Sequence, residues 1–309
     1  MMPQQRGTSR KVRWGAVAVT AGALAITGCS AAGHSASSGS SASPGAKTSS
    51  GAGATAGASG SLTAAEAVKQ AAAQAQKATS FAADMTVQTT GTADTTMSGT
   101  LKQQTEPSPL AVADFGTVSV QGQTLQGGLE EIVNSSGLYL KTPTLAKESG
   151  KPWVEFPASA LSKVSGTSFG QLLQNGSNDP LLQAQMLASS TNVKKVGTAT
   201  INGVPTTEYT GSYPISAGLA KLPLSNRSTI AAQLKAMGLT TENFTVWLDH
   251  QQQVRKVVSS AKGTKEQVSS TIVVTSVNQP VNVTVPPASQ VTVAPVSELG
   301  GSGSGATSS

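Results

Sequence analysis

Val193-Lys-Lys-Val-Gly-Thr-Ala-Thr-Ile201, Asn202-Gly203 and Val204-Pro-Thr-Thr-Glu-Tyr-Thr-Gly-Ser-Tyr213 read together as two strands around a two-residue turn. Asn-Gly is the strongest short hairpin signal because both central residues of a type I′ turn need positive φ. The same texture extends in both directions: segments rich in Thr, Val and Leu, separated by Gly, Pro, Asn and Ser. Towards the N-terminus, strands are predicted over residues 81–90, 95–104, 110–120, 124–134, 137–141 and 153–156. Towards the C-terminus they are predicted over 242–249, 254–262 and 265–277, with Pro280 and Pro286-Pro287 closing the block.

The two-residue period is visible within several of these. Phe244, Val246 and Leu248 alternate with Thr245, Trp247 and Asp249, and Leu125, Leu129 and Val133 share a face interrupted only by Gly127 and Glu131. Helical spacing occurs in three places. Thr63-Ala-Ala-Glu66 is a capping box opening an Ala-rich helix to about residue 78, with Leu62 placed to staple onto Ala67. Between 158 and 190, Phe169, Leu172 and Leu173, then Leu182 and Met186, recur at i, i+3 or i+4. Ser225 or Asn226 could cap a third helix that carries Ile230, Leu234 and Met237 and ends at Gly238. The expected class is α+β: one large curved antiparallel sheet of about ten strands with helices on its concave face.

Outside this domain, placed at residues 61–296, the chain is of a different kind. Arg6, Arg10, Lys11 and Arg13 precede an uncharged apolar run from Trp14 to Ile26, too short to span a bilayer comfortably. Residues 1–28 therefore read as an export signal. Ile26-Thr27-Gly28-Cys29 resembles the lipobox of bacterial lipoproteins. That resemblance implies diacylglyceryl transfer to the Cys29 sulfur, cleavage after Gly28, and anchoring at the outer face of the cytoplasmic membrane. Residues 30–60, almost entirely Ser, Gly, Ala and Thr, cannot bury enough apolar area to order themselves and are expected to be a tether with a reach of about 30 Å. Residues 297–309 form a similar tail.

Composition narrows the chemistry. Cys29 is the only cysteine, so the domain has no disulfide and no cysteine-based zinc or redox site. Removing the signal lowers the formal net charge from +6 to +2 and leaves no basic run, which argues against nucleic acid as a partner. His34 lies in the tether and His250 in a predicted turn, with no clustered carboxylates, so neither a metal nor another cofactor is expected. Gly166-Thr167-Ser168-Phe169-Gly170 matches the nucleophile-elbow pattern, but its partners would have to be Asp179 and His250, without the parallel βαβ order that the elbow requires. In so Gly- and Ser-rich a chain the match is expected by accident. Glu130 and Glu131 would point to opposite faces of a strand. An inward Glu131 would suggest a polar ligand contact, and an exposed sheet edge is the plainer alternative.

Several features together resemble the actinobacterial LppX/LprG-like lipoproteins: the lipobox and tether, Tyr139-Leu140-Lys141 before Gly150-Lys151-Pro152-Trp153-Val154, and the Asn202-Gly203 hairpin before Thr207-Glu208-Tyr209-Thr210-Gly211. Val246-Trp247-Leu248-Asp249 ahead of Val254-Arg255-Lys256 completes the pattern. The resemblance implies a LolA-like half-barrel and a non-enzymatic protein that holds the acyl chains of a lipid or lipoglycan in an apolar cavity. Candidate lining residues are Phe115, Trp153, Phe156, Phe169, Leu172, Leu173, Leu182, Met186, Ile230, Leu234, Met237 and Trp247. The alternative is an interaction, scaffold or sensor lipoprotein of the cell envelope with a solid core.

Overall fold

Thr63 starts the first helix as its sequence requires. Its hydroxyl accepts the Glu66 amide at 3.3 Å, and the Glu66 carboxylate accepts the Thr63 amide at 2.9 Å, closing the capping box. The helix, α1 (Ala64–Ala75), ends short of residue 78 because the Lys77 and Ala78 amides turn back to the carbonyls of Gln74 and Ala75. The computed structural model describes residues 62–91, 94–165, 186–190, 192–222 and 224–294.

After α1 come β1 (Ser80–Gly91), β2 (Thr95–Gln104), β3 (Leu110–Val120), β4 (Gln123–Thr124), β5 (Leu129–Asn134) and β6 (Gly137–Lys141). Helix α2 (Pro143–Ser149), β7 (Trp153–Pro157) and α3 (Ala158–Ser165) follow. The chain continues through β8 (Lys194–Ile201), β9 (Val204–Pro214), α4 (Ile215–Leu219), α5 (Leu224–Ala236), β10 (Thr241–Leu248), β11 (Val254–Lys262), β12 (Glu266–Val277) and β13 (Val291–Val293). The strands form one large open sheet in the order β13-β7-β6-β5-β3-β2-β1-β12-β11-β10-β9-β8, with β4 beside β3. Every pairing is antiparallel except β13 on β7.

The pleat assigns each side chain to a face. Tyr209, Val246, Val257, Ile272, Met85 and Gly99 form one continuous rung across six strands. On this inner face, Ala67, Val68 and Ala71 of α1, Ile215 and Leu219 of α4 and Ile230 of α5 pack on Tyr209, Tyr213, Phe244, Val246, Leu248 and Val257. Small α1 residues let that helix lie close to the strands. Further along the same face, a second core joins Phe81, Ala83, Met85, Met97, Ala113, Phe115, Val118, Leu129 and Ile272, all of them strand residues. The opposite, outer face carries a third, small cluster: Ile132, Tyr139, Trp153 and Val291, with Val283 packed against it.

Four sequence expectations need correction. The single strand expected over 124–134 is divided, because Gly127 and Gly128 take positive φ. A Cβ on Gly128 would come 2.4 Å from the Phe115 carbonyl oxygen, so the chain turns there in a way that only glycine permits. Helix α5 begins at Leu224, ahead of the expected caps Ser225 and Asn226. Helices α2 and α4 were not anticipated. Nor do the prolines close the fold: residues beyond 277 cross the outer face and add β13 beside β7, where Lys151 Nζ donates to the Ala288 and Val291 carbonyls at 3.3 and 2.8 Å. The Asn202-Gly203 turn is as expected, with φ of 49° and 79°.

Candidate functional site

The half of the inner face formed by β1–β7 differs from the half packed by α1, α4 and α5. Its register generates two adjacent rungs. One runs Ala83, Leu101, Ala113, Glu131, Leu140 and Val154, and the other Phe81, Gln103, Ala111, Val133, Leu138 and Phe156. Phe81, Ala83, Ala113 and Val154 are buried, whereas Leu101, Ala111, Val133, Leu138, Leu140 and Phe156 are only half-buried. The result is an aliphatic strip spanning five strands from β2 to β7 that the described part of the fold leaves partly open. Such a strip can hold apolar chains by removing their methylenes from water, at about 0.8 kcal/mol each.

One carboxyl interrupts it. Glu131 stands between Ala113 and Leu140, and no hydrogen bond or ion pair joins it to another described residue. Burial alone pushes its pKa up to about 7. Its neighbour Glu130 points to the outer face, paired with Lys141 at 2.6 Å, where both side chains are exposed and the pair contributes little.

A second inner-face carboxyl, Glu242, is treated differently. Burial raises its pKa, but hydrogen bonds from the Tyr213 and Ser259 hydroxyls pull it back, and Ser259 meets Ser270 at 3.0 Å. Tyr213 is held un-ionised by burial and by the Glu242 charge. This chain of polar groups crosses β9 to β12 with its needs met inside the fold.

Of the expected lining residues, Phe115 is buried on the inner face and Phe156 is half-buried at the end of the strip. Met186 and Ile230 are buried, and Leu234 and Met237 are packed, in the helix-covered core. Phe169, Leu172, Leu173 and Leu182 lie outside the described residues, as do Cys29, Ser168 and Asp179. Trp153 and Trp247 are on the outer face, because Trp153 is three residues from Phe156 and Trp247 alternates with Val246 and Leu248. Each carries a lysine over its ring: Lys141 at 5.6 Å from the Trp153 centroid, Lys256 at 4.7 Å from that of Trp247. The tryptophans therefore do not join Phe115. Leu101, Val133, Leu138 and Leu140 take that place, and the alternation of Leu138, Tyr139 and Leu140 was their signal in the sequence.

His250 is exposed in the β10–β11 turn. Among the described residues no group of three or more His, Cys, Asp or Glu is placed to hold a metal, and no helix is long and apolar enough to cross a membrane. An outer-face recess of about 180 Å³ is lined by charged as well as apolar groups, including Lys102, Asp114 and Glu130.

No family model matches the chain. The chain is similar to LppX and LprF. With the Mycobacterium tuberculosis lipoprotein LppX the identity is 20% and the TM-score 0.40, covering 72% of this chain and 98% of that one. With LprF of Mycobacterium bovis the figures are 14% and 0.44, covering 72% and 96%. A LolA-superfamily protein of Nitrosomonas europaea is 7% identical with a TM-score of 0.25, covering 72% and 96%. In sequence, an uncharacterized 31.2 kDa protein of Streptomyces griseus from the rplA–rplJ intergenic region is 30% identical over 109 residues. That match spans 34% of this chain and about a third of the relative's length, 35%.

Proposed function

We propose that this chain is an extracytoplasmic lipoprotein, anchored through Cys29 at the outer face of the cytoplasmic membrane, that binds or carries the acyl chains of a lipid or glycolipid. The observation that carries the reading is the half-buried aliphatic strip on the inner face of β2–β7, next to a floor of buried Phe115, Leu129 and Val154. Phe115 and Phe156 belong to the binding face, and the helix-covered core with Met186, Ile230, Leu234 and Met237 forms its far wall. Binding needs no cofactor, only differential burial of methylenes, and release follows when the helices move relative to the sheet. The lipobox and the low-complexity segment supply the anchor and the tether.

Residues 61–296, produced without Cys29 and purified without detergent, are expected to yield acyl lipid on extraction and mass spectrometry. Protein that is consistently lipid-free and takes up no apolar dye would overturn the reading.

A further inference from the structure

We propose that Glu131 is the polar contact of the acyl site and selects lipids that keep a free hydroxyl beside their acyl chains, as a diacylglycerol does and a triacylglycerol does not. This rests on the acyl-binding reading above and adds the chemical class of the ligand.

The placement of Glu131 carries it. Its side chain leaves the middle of an otherwise aliphatic rung, with Ala113 and Leu140 opposite and Leu101 one strand further on. Along its own strand the residues on the same face are Leu129 and Val133. Among the described residues, no other titratable group faces it from β2, β3, β6 or β7. Lys102, Asp114, Lys141 and Glu155 all fall on the alternate positions and point to the outer face. Lys147 of α2 and Lys163 of α3 are exposed. A carboxylate accepts hydrogen bonds and donates none, and the described fold gives Glu131 no donor. An apolar ligand that covered it without supplying one would bury an unsatisfied charge. A lipid hydroxyl supplies the donor. The ester carbonyls of a fully acylated glycerol bring only acceptors and leave the carboxylate unpaired.

The test is a competition in which folding yield cancels. The full chain with Cys29→Ser, so that recovered lipid is cargo and not anchor, is incubated at pH 8 with phosphatidylcholine vesicles holding equal amounts of dioleoylglycerol and trioleoylglycerol. Bound lipid is quantified by mass spectrometry. The expected ratio favours dioleoylglycerol on the order of tenfold, the size of one hydrogen bond to a charged acceptor. Glu131→Leu brings the ratio near one, and Glu131→Gln, whose carbonyl still accepts, retains part of the preference. In the unsubstituted site the preference shrinks towards pH 5, where the neutral carboxyl also donates to an ester carbonyl. An unchanged ratio in Glu131→Leu, or equal uptake by the unsubstituted site, removes the role of Glu131 and leaves the acyl site standing. Uptake of neither lipid removes the acyl site itself.

Discussion

Glu131 and Glu242 occupy the same sheet face and are both disfavoured as anions by burial, yet only Glu242 has hydroxyls turned towards it. The difference has a measurable consequence for folding. With its pKa raised from 4.5 to about 7 in the fold, Glu131 binds a proton more tightly in the native than in the unfolded chain. Its contribution is neutral below about pH 4.5, becomes unfavourable as pH rises through 7, and then stays constant. Glu131→Gln should therefore raise the Tm at pH 8, by an amount corresponding to roughly 2–3 kcal/mol, and leave it unchanged near pH 4. Thermal melts at the two pH values check this, and a gain of equal size at both would refute it. At this scale the sequence is partly readable. The alternation around Phe244 already opposes Trp247 to the core, whereas whether Glu131 faces inward depends on a register that Gly127 and Gly128 ahead of it and the β3 pairing set together.

Elements are held by turns as much as by strands. In the β10–β11 connection, Asp249 is almost fully buried: Oδ1 accepts the Gln251 and Gln253 amides at 2.8 and 2.9 Å, and Oδ2 accepts Arg255 Nε at 2.9 Å. One side chain thus organises the turn and neutralises the cation after it. Asp249→Ala strands two amides and a largely buried guanidinium, and should lower stability in urea unfolding by about 3 kcal/mol. A loss under 1 kcal/mol would show that water takes over the turn. This hairpin, the Asn202-Gly203 turn and the Thr63 capping box are legible because their signals are local. The break at Gly127-Gly128 is legible only in retrospect, since either glycine is compatible with a bulge inside a continuous strand. Strand β13 is not legible at all: Val291–Val293 is too short for its Val-Thr-Val alternation to count as a signal, and pairs because Lys151 and the outer-face cluster receive it.

For the molecule as a whole, the lipobox reading makes a prediction independent of the sheet. Cells fed an alkyne-tagged fatty acid should label the protein, and Cys29→Ala should abolish the label entirely. Residual label would place the acyl group elsewhere. The strand order bears on how the domain is made. β1 lies between β2, its neighbour in sequence, and β12, near the end of the domain, and Thr79 is hydrogen-bonded to Asn278, 199 residues away. As a chain emerges from its N-terminus, β1 to β7 can assemble as a meander, but one edge of β1 stays unpaired until almost all the remaining sequence has arrived. Contacts of such separation are slow to form, and a long bare edge invites wrong partners in the meantime. The domain therefore closes late at its own centre, with only the short edge strand β13 still to come, and a truncation that spares every residue up to β11 would still leave it in two unjoined halves.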